Sequence, residues 1–345
     1  MSTWLKKWEP EDAQFWEETG KKIAWRTLSI TTVALVFSFS TWFLMSAVVV
    51  RLPNVGFTYT DMQLFWLAAM PGLAGGTLRV LNAFLIPVFG TRHVITISII
   101  LKLFPVIGIG LAVLNPQTPF WLFMVLALSA GLGGGDFSSY MPSTSMFFPK
   151  KLQGTALGIQ AGVGNFGVSI VQFVTPWIVG FAIFGTVLGG AQVFTDGGEK
   201  ESIWLQNGSF IYAPFLVVIG ILAWRYLKSV PIRASIREQF DIFKNKHTWF
   251  CTITYVMTFG SFAGYSAAFP LMISTVYGDF PNAPDPLTFA FLGPMVGSLM
   301  RVAMGPVSDK IGGAVLTTIS GVVMIASIVL MLVLGLFTPT SLDQF

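Results

Sequence analysis

Two arginines, Arg79 and Arg301, stand inside long apolar runs of this 345-residue chain. A charged side chain at the centre of a bilayer costs at least ~2.5–3.5 kcal/mol, so each needs a partner or a task. Arg79 lies about ten residues, ~15 Å at helical rise, from the polar end of its run, which is deep for a side chain that only snorkels. Arg301 lies ~12 Å before Asp309-Lys310, so snorkelling or structural pairing competes more evenly there. Their surroundings match. Gly75 precedes Arg79 by four residues and Gly90 follows it by eleven; Gly297 and Gly312 hold the same offsets around Arg301. With the arginines aligned, GGTLRVLNAFLIPVFGTR and VGSLMRVAMGPVSDKIGG superpose without a gap, which marks an internal repeat. Equivalent arginines in two repeats would face each other across a central cavity. A guanidinium donates two parallel hydrogen bonds and stays charged when dehydrated, so the ligand it suits is a small, planar, weakly hydrated anion.

Two further charges fall within apolar runs, Lys102 and Asp136. Each lies ~15–20 Å from the same edge on consecutive antiparallel spans, which predicts an intramembrane ion pair. The alternative is a proton-carrying role for Asp136. Gly131–Val168 is dense in glycine, with Gly154, Gly158 and Gly162 at i, i+4, i+8 forming one bare helical stripe for close packing. Gly162, Gly164 and Gly167 match G-x-G-x-x-G, but no strand precedes them, so they do not make a dinucleotide site. Asn165, among these glycines, could donate to an anion or bond a neighbouring helix. One cysteine, Cys251, and two histidines, His93 and His247 at predicted membrane edges, offer no disulfide and no metal cluster. No nucleophile constellation, metal site or cofactor motif is visible, so the expectation is no enzyme, no cofactor and no nucleic-acid partner.

The elements that must position these residues are membrane spans. The chain is 54% hydrophobic and 10% charged, where soluble domains carry roughly 25% charged residues. Nine apolar segments are predicted, near 27–50, 62–89, 94–114, 120–148, 154–187, 209–227, 248–276, 287–307 and 314–337, preceded by a short interfacial helix around Trp16, Ile23 and Trp25. With the amino terminus in the cytoplasm, 15 of the 20 Lys and Arg fall on that side, and two, Arg51 and Lys200, on the other. The implied organisation is a cytoplasmic segment 1–26, a six-helix bundle 27–227, a basic cytoplasmic loop 228–247, and a second, partial bundle 248–345. The fold class is all-α polytopic. Parallel repeats of six helices place a site near the midplane, at their interface.

Several strings resemble the bacterial nitrate/nitrite porter family of the major facilitator superfamily: GLGGGDFSSYMPSTSMFFPKKLQGTALGIQAGVGNFGVS, WEPEDAQFW, LPNVGFTYTDMQLFWLAAMPGLAGGTLRV, TFGSFAGYSAAF and GPVSDKIGG. The resemblance covers essentially the whole chain. It implies that Arg79 and Arg301 clamp nitrate or nitrite, that Phe137 and Phe259 stack on it, and that Tyr255 and Asn165 contact it. It also implies that glycines around Gly164 let the fifth helix bend. On sequence alone Phe137, Phe259 and Tyr255 read as core. Ala161-Gly162 stands where many members pair glycines. A major facilitator fold has twelve spans, so about nine of twelve are expected here, with the second glycine signature beyond Phe345 and the chain a truncation or an incomplete record. The expected activity is alternating-access transport, chiefly nitrate/nitrite antiport, in nitrate assimilation. Nitrate/proton symport, or a non-transporting fragment, is the alternative. A monomer in the bacterial inner membrane is expected, with the lipid bilayer as its surroundings.

Overall fold

The computed structural model describes residues 3–185, 187–196, 198–231 and 235–342. Arg233, one of the basic residues counted above, lies outside them. Among the described residues nine helices are long and apolar enough to cross a membrane: α1 Ala13–Trp42, α2 Asp61–Asn82, α3 Thr91–Ala112, α4 Phe120–Phe147, α5 Lys150–Ile178, α6 Asn207–Tyr226, α7 Lys246–Tyr277, α8 Pro286–Ser308 and α9 Gly313–Val333. Many large apolar side chains face outward, Leu73, Trp121, Ile221 and Val333 among them, as expected where hydrocarbon is the solvent.

The amino-terminal segment departs from its expected form. Among the described residues no separate interfacial helix precedes the first span. Asp12 accepts a hydrogen bond from Phe15 N at 2.7 Å and starts a helix that continues through a π-helical turn at Trp16–Gly20 into the span. The segment then docks against the ends of α4 and α5. Trp8 Nε1 donates to Met146 O at 2.9 Å, and Trp8 packs edge-on against Phe147. A Glu11 oxygen accepts from Lys150 N at 2.9 Å, capping the start of α5, where Pro149 supplies no side-chain cap. Further back, Ser229 N donates to Thr3 O and Leu5 N to Ser229 O, both at 2.8 Å, so the beginning of the chain pairs with the exit of α6.

The repeat read from the sequence has a backbone counterpart. Gly90 precedes α3 with φ 78° and ψ 155°; Gly312 precedes α9 with φ 89° and ψ 138°. Both lie at positive φ, a region that residues with a Cβ rarely adopt. A Cβ on Gly75 would stand 2.8 Å from Trp42 Nε1 of α1, and one on Gly297 3.2 Å from the Phe262 ring of α7. Each glycine four residues before an arginine therefore meets an aromatic of the preceding span.

α5 is the longest uninterrupted α-helix among the described residues. It packs along α1 on one side and α8 on the other. The glycine stripe faces α8: Gly158 approaches Gly305, and Gly162 approaches Val302. Gly164 and Gly167 instead receive α1, at Leu35 and at the Val36 carbonyl. α5 is one continuous helix from Lys150 to Ile178, with no break at Gly164. α4, by contrast, is interrupted at Gly131 and Asp136. Between α5 and α6 the polar connection forms a hairpin, β1 Gln192–Asp196 paired antiparallel with β2 Glu199–Ile203. Sequence alone gave no sign of it.

α8 meets the first six spans along α5 and α7 meets them at α2, and a further set of contacts lies on the side away from the amino terminus. Arg51 Nη2 pairs with Asp285 at 2.6 Å, and Phe173 meets Phe291 with centroids 4.9 Å apart. Gln172 Nε2 donates to Ser266 O at 2.7 Å. Pro270, four residues on, has no N–H with which to bond that carbonyl, so the amide of α5 supplies the missing donor.

Candidate functional site

α2 begins with a capping box between Thr60 and Gln63 and carries Arg79 in its last turn. Arg79 Nε donates to Gly134 O at 2.9 Å, and Nη1 donates to Tyr255 Oη at 2.9 Å. Four aromatic rings surround the guanidinium: Phe259 at 4.3 Å, Phe137 at 4.9 Å, Trp42 at 5.4 Å and Tyr255 at 5.7 Å. Nη2 is buried and has no hydrogen-bond partner among the described residues. Trp42 is held in turn by its Nε1, which donates to Pro71 O at 2.7 Å.

Arg301, from α8, approaches the same place. Its guanidinium carbon lies 5.3 Å from the Phe137 centroid and 5.6 Å from that of Phe259. With the Asn165 amide turned to satisfy both its ends, the oxygen accepts from Arg301 Nη1 at 3.2 Å and the nitrogen donates to Ala161 O at 3.2 Å. Phe137 and Phe259 stack with centroids 5.7 Å apart and planes 23° from parallel. Tyr255 and Phe259 stack at 5.2 Å and 8°. A π-helical turn at Val256–Gly260 interrupts α7 where Phe259 projects, a feature frequent at functional sites. Arg79, Tyr255 and Phe259 also line a cavity of about 550 Å³ between α2 and α7, with Trp42, Ser46 and Thr252.

The electrostatics are one-sided. Among the described residues neither guanidinium has a carboxylate partner. What surrounds them is ring faces, one carbonyl, one phenol and one amide. Each cation–π contact contributes ~0.5–2 kcal/mol and none neutralises a charge. Among the described residues the two buried cations are compensated only by ring faces and dipoles.

The Major Facilitator Superfamily model matches residues 30–342. A probable nitrate/nitrite antiporter, NarK2 of Thermus thermophilus, is 60% identical over 99% of this chain and 76% of its own length. The nitrate/nitrite transporter NarU of Escherichia coli (strain K12) is 40% identical over 93% of this chain and 68% of its own. The chain belongs to the nitrate/nitrite porter family of the major facilitator superfamily. It is a multi-pass membrane transporter and not an enzyme.

Of the porter residues singled out from the sequence, six converge: Arg79, Arg301, Phe137, Phe259, Tyr255 and Asn165. Gly164 packs on Leu35. Gly154 lies on the first turns of α5, part-buried. Lys102 and Asp136 meet as a fully buried ion pair, with side chains 0% and 1% exposed, beside Ser38 of α1. Sequence reasoning missed Trp42 and the Gly134 carbonyl. The first is one aromatic among several in its span, and the second is a backbone atom that no residue type announces.

Proposed function

We propose that this porter moves nitrate and nitrite across the membrane by alternating access, exchanging one for the other. The observation that carries the reading is the pairing of Arg79 and Arg301 around Phe137 and Phe259 with no carboxylate against either guanidinium among the described residues. The names of the relatives supply the substrate class. A planar monoanion matches the guanidinium fork, and the flat aromatic walls suit its faces.

Exchange follows from charge. Two cations drawn together without an anion lose solvation and gain no partner; one monoanion between them offsets much of that loss. Closing the site with cargo is therefore easier than closing it without. The contacts away from the amino terminus, Arg51–Asp285 and Gln172–Ser266 O, act in this reading as the outer seal. The porter has its amino terminus in the cytoplasm, consistent with the excess of Lys and Arg on that side, and lies as a monomer in the bacterial inner membrane. Residues 27–227 and 248–345 move against each other as two units, with 228–247 as their connector.

Counterflow in proteoliposomes tests the proposal. Nitrate uptake should require nitrite or nitrate inside and should ignore an imposed pH gradient. Uptake into anion-free vesicles driven by a proton gradient would point to symport and overturn the exchange reading.

A further inference from the structure

Asp136 occupies a break in α4, two residues after the carbonyl that holds Arg79 and immediately before Phe137, the ring against which both guanidiniums lie. Its carboxylate is fully enclosed and fully bonded. Oδ2 accepts from Ser38 Oγ of α1 at 2.6 Å and from Lys102 Nζ of α3; Oδ1 accepts from Ser98 Oγ of α3. The lysine is equally occupied, since Nζ also donates to Ser98 O at 3.0 Å and to Ser98 Oγ at 3.2 Å. Tyr140, one turn further along α4, is buried beside the same carboxylate. Ionic networks inside proteins are worth retaining mainly where they fix a unique arrangement, because apolar packing would stabilise as well.

The neighbouring glycines show what is fixed. Gly133 lies against the Ser38 carbonyl, Gly134 against the Trp42 ring, and Gly135 against Leu78 and Asn82, all too close to admit a Cβ without movement. Such a smooth surface lets α4 come near α1 and α2, yet it offers no knob to stop α4 sliding along them. The Asp136 carboxylate is the knob. Ser38 and Lys102 grip it from two directions, and the backbone either side carries Gly134 O and Phe137.

We propose that Asp136, with Lys102, is a positioning pair for the anion site: it sets the axial register of α4 so that Gly134 O orients Arg79 and Phe137 lies against both arginines. The pair touches no substrate and carries no proton. This rests on the anion-exchange reading above, and the test separates the two.

Exchange of nitrate for nitrite is measured in proteoliposomes for the unaltered porter and for Asp136→Asn, Lys102→Gln, the double variant and Ser38→Ala, each checked for a monodisperse folded peak. Asp136→Asn and Lys102→Gln should raise the nitrate KM about ten-fold or more while kcat falls less than about three-fold. The double variant, two neutral amides in place of two charges, should return KM to within about three-fold. Ser38→Ala removes one donor and keeps the pair, so it remains informative if the single charge variants fail to fold; its KM should rise about three-fold. The pH profile of exchange should be the same in every folded variant. A wild-type KM in the folded variants overturns the positioning role, as does a KM left unchanged with an altered pH profile, which would make Asp136 a proton carrier. If the unaltered porter shows no exchange, it is the anion-exchange reading that fails.

Discussion

Arg79 and Arg301 lie against the same Phe137 ring, at 4.9 and 5.3 Å. They come from equivalent places in two repeats, so the ring sits where the repeats meet. A lysine at either position keeps a charge and loses the planar fork. Arg79→Lys and Arg301→Lys should each lower nitrate exchange by about 100-fold or more without changing the folded yield. Retained exchange in either variant, measured by counterflow, would refute the clamp.

Gln172 and Pro270 make a second pair whose logic can be checked by crossing variants. Gln172→Leu strands the Ser266 carbonyl, an unsatisfied buried acceptor costing ~1–3 kcal/mol. Pro270→Ala restores a helical N–H to that same carbonyl. Thermal unfolding in detergent should show Gln172→Leu destabilised and the double variant recovered. Equal melting of the single and double variants would mean that the proline does not free the carbonyl.

Loss of the Glu11 contact should be felt at the start of α5. Glu11→Ala removes the acceptor for Lys150 N and should cost about 1 kcal/mol. Glu11→Gln, which keeps an acceptor oxygen, should lose less. The comparison is again by thermal unfolding.

Glycines divide by what stands opposite them. Gly167→Val would drive a side chain into the Val36 carbonyl of α1 and should abolish the folded peak in size exclusion. Gly76→Ala meets open space and should leave folding intact, with stability changed by less than about 1 kcal/mol.

The spans and the arginine pair were legible because an apolar run interrupted by one charge is an unambiguous signal. The repeat was legible because Gly90 and Gly312 serve one backbone conformation that few other residues adopt. Other features were not. Trp42 belongs to a span whose serines and threonines are scattered and mark no face, and what distinguishes it is the Pro71 carbonyl of another span. Gln172 was not singled out, because the meaning of its amide depends on Pro270, 98 positions away in the sequence. The amino-terminal helix was misjudged as separate because its polar residues resemble a surface segment, whereas the helix runs through them into the first span.

The backbone bonds between Thr3, Leu5 and Ser229 bring the start of the chain to the exit of the sixth span. They turn the first 229 residues into a loop fastened at its own ends. A ribosome releases that loop's clasp only after the sixth span has emerged, so the first residues made must wait for the last of the set. A bulky fusion at the amino terminus would obstruct the clasp, whereas a cut in the connector after it would leave the clasp intact. Co-expression of the chain as two pieces, divided between residues 235 and 245, is the arrangement this geometry invites.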